Sequence, residues 1–282
     1  MKKVVLLVVA VCFSVFSFAQ DAAQKIEDAN AAMQAKEYAK ALELYESAMS
    51  NLGDVQVPDA INFNIGLAAY NSDNYDKAIE YFDKAIAADA NADKAWEYKA
   101  GAYGKMDKYS EAIDAYKKAI EAAPSEAASL SYNAGIVAYK GKMYDDAIAF
   151  FTGAVEGAYK GETAQYYKAV AYNKLNNDDG YKATLVEGVE KFPGDDKLSG
   201  ALANVYVSEG NELYKKGAEI LSAANTKVNE GSLSTADDAY AAEVAKAKKE
   251  FAAALEVLEK AAVLDASNAN AQKLIEACKA AM

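Results

Sequence analysis

Histidine and arginine are both absent from the 282 residues; all thirty basic side chains are lysine. Without histidine the chain lacks the commonest general base and most zinc ligands. Without arginine it lacks the planar fork that grips phosphate or carboxylate in bidentate fashion. Proline occurs three times and glycine sixteen. β-branched residues thin out after the first twenty positions, whereas alanine is abundant throughout. Few breakers and many alanines suit long helices, because alanine loses no side-chain entropy and proline interrupts the hydrogen-bond ladder. The two cysteines are Cys12 and Cys278. Cys278 stands alone if the first segment is removed, so it has no internal disulfide partner and reads as a small buried apolar residue.

The first nineteen residues read as a separate object. Lys2 and Lys3 precede an apolar run from Val4 to Phe16, which is shorter than a comfortable bilayer span. Ser17-Phe18-Ala19 supplies the small residue a signal peptidase needs, so cleavage is expected after Ala19 and the protein is expected to be exported, as a soluble periplasmic protein with no transmembrane segment in the mature chain. Lipidation at Cys12 is disfavoured. Val11 stands where a small residue is wanted, and an apolar stub from Phe13 to Phe18 would remain. Loss of Lys2 and Lys3 takes the net charge from −12 to −14. Such acidity repels nucleic acid and anionic lipid, so no nucleic-acid partner is expected.

The chain repeats itself. Alanine, then an aromatic four residues on, then alanine three further, appears as Ala41-Tyr45-Ala48, Ala78-Phe82-Ala85, Ala112-Tyr116-Ala119 and Ala147-Phe151-Ala154. Tyr38, Tyr75, Tyr109 and Tyr144 each stand three residues before a triplet. Upstream, Ile65-Gly66 leads to Ala69-Tyr70, and Ala134-Gly135 to Ala138-Tyr139; Trp96, Ala100 and Tyr103 form the third copy. Residues 168–174 echo 99–105, and Pro124 and Pro193 close their copies. The small residues mark close helix approaches and the aromatics fill the gap to the next copy, giving contacts between neighbours only.

These residues resemble the tetratricopeptide repeat over nearly all of the chain after residue 19. The resemblance implies an all-α fold, a solenoid of tetratricopeptide-type helix–turn–helix units wound into a right-handed superhelix. The expected repeats span 22–55, 59–92, 93–126, 128–161 and 162–195. Tyr181 in the fifth stands where a small residue is expected, so that repeat is expected to splay. An extended sixth helical hairpin follows over 196–266, with a loop at 223–237. In its first helix either Ala203 or Gly210 can take the small position. Residues 267–282 form a capping helix.

No catalytic constellation emerges, no cofactor or metal is implied, and the chain is not expected to be an enzyme. Asp178-Asp179, Asp195-Asp196 and Asp237-Asp238 sit at expected helix starts, where carboxylates satisfy free N–H groups and meet the positive helix end. The resemblance implies instead a concave groove lined by first-helix side chains. Its expected residues are Asn64, Lys94, Tyr98 and Lys105, then Tyr132, Asn133, Tyr139 and Lys140, then Tyr166, Tyr167 and Lys174, with Asn30 and Asn71 in register. Lys105, Lys140 and Lys174 recur in consecutive repeats. Such a groove suits an extended peptide or protein segment with acidic groups or a free C-terminus. Some family members clamp a terminal carboxylate with two asparagines and several basic residues. Asn30, Asn64 and Lys94 fall on three of those five positions, but Ile26 and Tyr98 occupy the others, so that clamp is incomplete. The expected role is an interaction scaffold of the periplasm or cell envelope. The alternative is an assembly factor for an envelope or secretion complex.

Overall fold

The structure is a computed structural model and describes residues 20–52 and 55–282. The expected leader, the cleavage expected after Ala19, and Cys12 lie outside the described residues. Every regular element among the described residues is helical. The fold class is an all-α helical-repeat solenoid, and the chain divides into two compact units that meet at Gly161 and Glu162.

The first unit contains α1 (20–34), α2 (Tyr38–Met49), α3 (Ile61–Asn71), α4 (Tyr75–Ala87), α5 (Ala92–Lys105), α6 (Tyr109–Ala122), α7 (Ala127–Lys140) and α8 (Tyr144–Glu156). A 3-10 turn, Pro124–Glu126, precedes α7. From α2 to α8 each helix packs on the next, α1 shares a cluster with α2 through Ala29 and Tyr45, and α3 also touches α5, as a neighbour-only stack requires.

Within each hairpin the contact is set by residue size. A Cβ on Gly66 would stand 2.6 Å from the Phe82 ring, and one on Gly135 would stand 2.7 Å from the Phe151 ring. Those distances exclude any side chain, so glycine lets the two backbones close on the aromatic. Ala29 and Tyr45, and Ala100 and Tyr116, share clusters at the same sixteen-residue separation. Ala29, Ala100, Phe82 and Phe151 are all fully buried.

The turns repeat as faithfully as the core. Lys36, Asp73, Asp107 and Lys142 follow the ends of α1, α3, α5 and α7 with φ of 61°, 60°, 57° and 59°. The next residue then donates its N–H back to a carbonyl five positions earlier: Glu37 to Ala32 at 2.8 Å, and Asn74 to Ala69, Lys108 to Tyr103 and Met143 to Ala138 at 2.9 Å. This is the Schellman closure, which satisfies carbonyls left over at a helix end. The tyrosine that opens the second helix can lock the turn. Tyr75 donates to Asp73 and Tyr109 to Asp107, each at 2.5 Å.

The second unit contains α9 (Gly161–Lys174), α10 (Asp178–Lys191), α11 (Asp196–Asn229), α12 (Asp238–Leu264) and α13 (Ala269–Ala281). The α9–α10 hairpin obeys the same turn rule through Asn176, with φ 55°, and the Asn177 bond to Tyr172 at 3.0 Å. Tyr181 lies half-buried against the cluster around Leu185 and Leu198, and burial pushes its phenol pKa up.

The α11–α12 hairpin departs from this plan. Gly210 takes the small position, because its Cβ would stand 2.5 Å from Leu258. The pair is separated by 48 residues rather than 16, a difference of 32. At Gly217, in the register where the five earlier hairpins turn, α11 continues as helix. Ala203, Gly210, Gly217 and Ala224 are buried at every seventh position, facing Ala247, Ala254 and Ala261 at the same spacing on α12. A seven-residue repeat keeps one seam facing its partner along both helices, and small residues let them approach closely. Phe251 fills the space over Gly217, where a Cβ would be 2.8 Å away.

The expected loop at 223–237 begins too early. Helix persists to Asn229, because Ala224 is buried on the seam while Asn225, Thr226 and Lys227 point to solvent. It stops at Gly231, whose φ of 74° allows Ser232 to close back on Lys227 at 3.0 Å. α13 covers the other end of the hairpin. Ala271 packs with Ala203 and Ala261, and Cys278 is buried with Ala254 and Leu258.

Candidate functional site

The first helices of the first unit present Asn64, Lys105 and Lys140 to solvent. Lys105 and Lys140 are the last residues of α5 and α7, thirty-five apart in sequence. Among the described residues neither forms an ion pair. Their position has a structural benefit of its own, since a cation in the last turn meets the negative end of the helix dipole. Lys174 holds the same position on α9 in the second unit.

The remaining expected residues are more deeply engaged. Lys94 bonds Glu126 at 2.5 Å and Glu97 at 3.2 Å, tying α5 to the 3-10 turn before α7. The Glu126 hydrogen bond, then that of Glu97, raises its ammonium pKa. Its charge is therefore matched inside the unit. Tyr98 packs its ring 5.5 to 5.9 Å from Tyr70, Phe63 and Phe82, where it serves as inter-repeat packing. Tyr132 contacts Phe151 and Tyr159 edge-on and lies 4.5 Å beneath the Lys160 ammonium. Tyr139 meets Tyr144 edge-on at 5.6 Å, and Asn133 is half-buried on α7. In the second unit Tyr166 and Tyr167 contact one another edge-on at 6.0 Å, with Tyr166 also on the Leu185 cluster.

The open part of the first unit's face is thus Asn64, Lys105 and Lys140, with Tyr132, Asn133 and Tyr139 half-exposed among them. Asn71 is also exposed, but its amide donates to the Leu67 carbonyl at 2.8 Å.

A pocket of about 350 Å³ opens at the end of this unit. Ile26 and Asn30 of α1, Asn64 of α3, and Val55, Val57 and Pro58 of the connecting segment line it. Its signal in the sequence is the first repeat step, which is 37 residues where later steps are 34 and 35. The lengthened connection supplies the apolar wall. Buried Tyr45 donates its hydroxyl to Asn30 Oδ1 at 2.5 Å, which turns the Asn30 amide N–H groups away from Tyr45.

Of the acidic pairs, Asp195 caps α11 by accepting from the Leu198 N–H at 2.8 Å, and Asp196 follows in the first turn. Asp178 and Asp179 occupy the first turn of α10, whose cap is Asn177, bonded to the Gly180 N–H at 2.8 Å. Asp237 precedes α12 but accepts from the Ser234 N–H at 2.7 Å instead of capping the helix. Among the described residues no group of three His, Cys, Asp or Glu could hold a metal ion, and no helix is long and apolar enough to cross a membrane.

Two stretches match family models described as tetratricopeptide repeat: residues 98–163 and residues 60–92. No curated protein matches. Among solved structures, the chain is similar to a tetratricopeptide repeat protein from Parabacteroides merdae ATCC 43184. The two are 19% identical, the match covers 92% of this chain and 99% of that one, and the TM-score is 0.50. A TPR repeats protein from Bacteroides fragilis NCTC 9343 is 23% identical over 93% and 99% of the chains, with a TM-score of 0.39. MamA from Desulfovibrio magneticus RS-1 is 16% identical over 71% and 96%, with a TM-score of 0.42. Proteins built from these repeats are generally non-enzymatic scaffolds, and the fold suggests a protein–protein interaction role. The family-model matches, supported by hairpins that share one contact register and one turn geometry, show that this chain carries tetratricopeptide repeats at residues 60–92 and 98–163.

Proposed function

We propose that this protein is an exported, non-enzymatic scaffold of the periplasm or cell envelope that holds an extended peptide or protein segment on the first-helix face. One observation carries the reading. Lys105 and Lys140 stand exposed and without ion pairs, in one register, on a chain whose net charge is −12. Unmatched lysines on an acidic protein draw an anionic segment to that face and set its orientation. Asn64, Tyr132, Asn133 and Tyr139 add hydrogen-bonding and apolar contact at low entropic cost. The segment therefore carries carboxylates along its length or at its C-terminus.

The test is affinity capture from the source organism's envelope extract on residues 20–282, beside a Lys105/Lys140/Lys174→Glu variant of equal helicity. The wild type should retain a partner that the variant loses. Recovery of the same partner by both would place the site elsewhere.

The long α11–α12 hairpin favours a second reading, an assembly factor for an envelope or secretion complex, since it extends far past its neighbours in the unit. Detergent-free fractionation separates the readings: an assembly factor stays with membranes.

A further inference from the structure

The residue directly after the aromatic has a regular use in the first three repeat triplets, whereas in the fourth it is Thr152, whose hydroxyl donates to the Ile148 carbonyl at 2.8 Å. Glu46 pairs with Lys77 at 2.6 Å, Asp83 pairs with Lys99, and Lys117 pairs with Asp146 at 3.5 Å. Each pair links one repeat to the next. In the second unit the same register on α10 holds Val186. A second outer register, two residues past the last small residue of the triplet, holds Ser50, Ala87, Glu121, Glu156 and Glu190 in turn. On α12 it holds Val263, which is 86% exposed.

These substitutions open an apolar trough of about 520 Å³ between α10 and α12, floored by Leu202 and Tyr206 of α11. Val186, Val189 and Leu264 form its walls and Val263 its lip. Glu190, Glu256 and Glu259 stand around the rim with a single cation, Lys260, which is held by Glu256 at 2.9 Å. Among the described residues Glu190 and Glu259 form no ion pair.

We propose that this trough docks an amphipathic helix of a partner protein whose apolar face is flanked by lysine or arginine. The apolar floor requires a partner surface that loses water on contact. The two unmatched carboxylates choose a basic flank over an acidic one. The site is separate from the first-helix face, so it stands or falls independently of the peptide reading.

The probe is a short fluorescent helix-forming peptide of alternating leucine and lysine faces, followed by anisotropy. A companion peptide carries serine in place of every leucine at equal charge. The Leu/Lys peptide should bind at least tenfold more tightly than the Ser/Lys peptide. Val263→Ser should weaken Leu/Lys binding about tenfold, the loss expected when two methyl groups are no longer there to be buried. Since Val263 is largely exposed, that variant retains the fold, as its helicity will show. Glu190→Gln/Glu259→Gln should weaken binding and flatten its salt dependence, whereas Glu219→Gln/Glu230→Gln, an equal charge change on the far part of the hairpin, should do neither. Equal binding of the two peptides overturns the proposal, because general acidity would then suffice. Unchanged binding by Val263→Ser also overturns it. So does self-association of the wild type that Val263→Ser abolishes, since the occupant would then be a second copy.

Discussion

The α7–α8 and α11–α12 hairpins use one contact in two ways. In both, a glycine lets a large side chain lie on the opposing backbone: Phe151 on Gly135, Leu258 on Gly210 and Phe251 on Gly217. In the short hairpin a left-handed residue and a Schellman closure fix the register within a few positions. In the long one the turn is displaced to Gly231, and a seven-residue seam of Ala and Gly holds the register instead. The difference teaches that the contact, not the turn, defines the hairpin. It also predicts unequal cooperativity. Phe151 lies in a hairpin that also packs on α6, whereas the last clusters that join the long hairpin to α13 reach Leu213 and Tyr214.

The largest test is Phe151→Ala, which should cost about 3–5 kcal/mol by denaturant titration, because the stack cannot collapse around the space. Gly217→Val should cost about 1–3 kcal/mol through overpacking on Phe251. Hydrogen exchange should place that loss in the far half of α11 and α12, with α7 and α8 unaffected. Global loss of protection would mean the long hairpin is cooperative with the rest and would break the comparison.

Smaller effects test the turns. Lys142 adopts φ 59°, which glycine tolerates without strain, so Lys142→Gly should stabilise by about 0.5–1 kcal/mol in thermal unfolding. Destabilisation would show that the Lys142 side chain, rather than its backbone, holds the turn. The smallest effect concerns pH. The hydrogen bond to Asp73 pushes the Tyr75 phenol up to about 12 from its ordinary 10.0. The unfolded chain therefore ionises first, and the contribution present below pH 10 is lost as pH rises towards 12. Tyr75→Phe should flatten the stability–pH curve in that window; an unchanged slope would show that the Asp73 bond does not persist in solution.

Much of the fold was legible because the triplets are both periodic and steric. Gly66 and Gly135 are small since Phe82 and Phe151 lie against them, and that requirement shows in one sequence. The small position in α11 was undecided between Ala203 and Gly210, since both lie on one seven-residue seam and only the partner Leu258 distinguishes them. The end of α11 was missed because polar residues at 225–227 resemble a loop, and only burial of Ala224 reveals the helix beneath. The candidate face was legible in its lysines but not in its aromatics. Position places Tyr98 beside Lys105, but packing commits its ring to Phe63, Tyr70 and Phe82. Lys94 is likewise committed by Glu126, thirty-two residues away and visible only in space.

The measurement that bears most directly on function compares three baits in one capture experiment: residues 20–282, the Lys105/Lys140/Lys174→Glu variant, and a chain whose α11–α12 extension is replaced by a short repeat turn. All three should be equally helical per residue. The account predicts that the partner is lost with the lysine variant and kept by the shortened chain. Loss with the shortened chain and retention by the lysine variant would contradict it, placing the binding surface on the long hairpin.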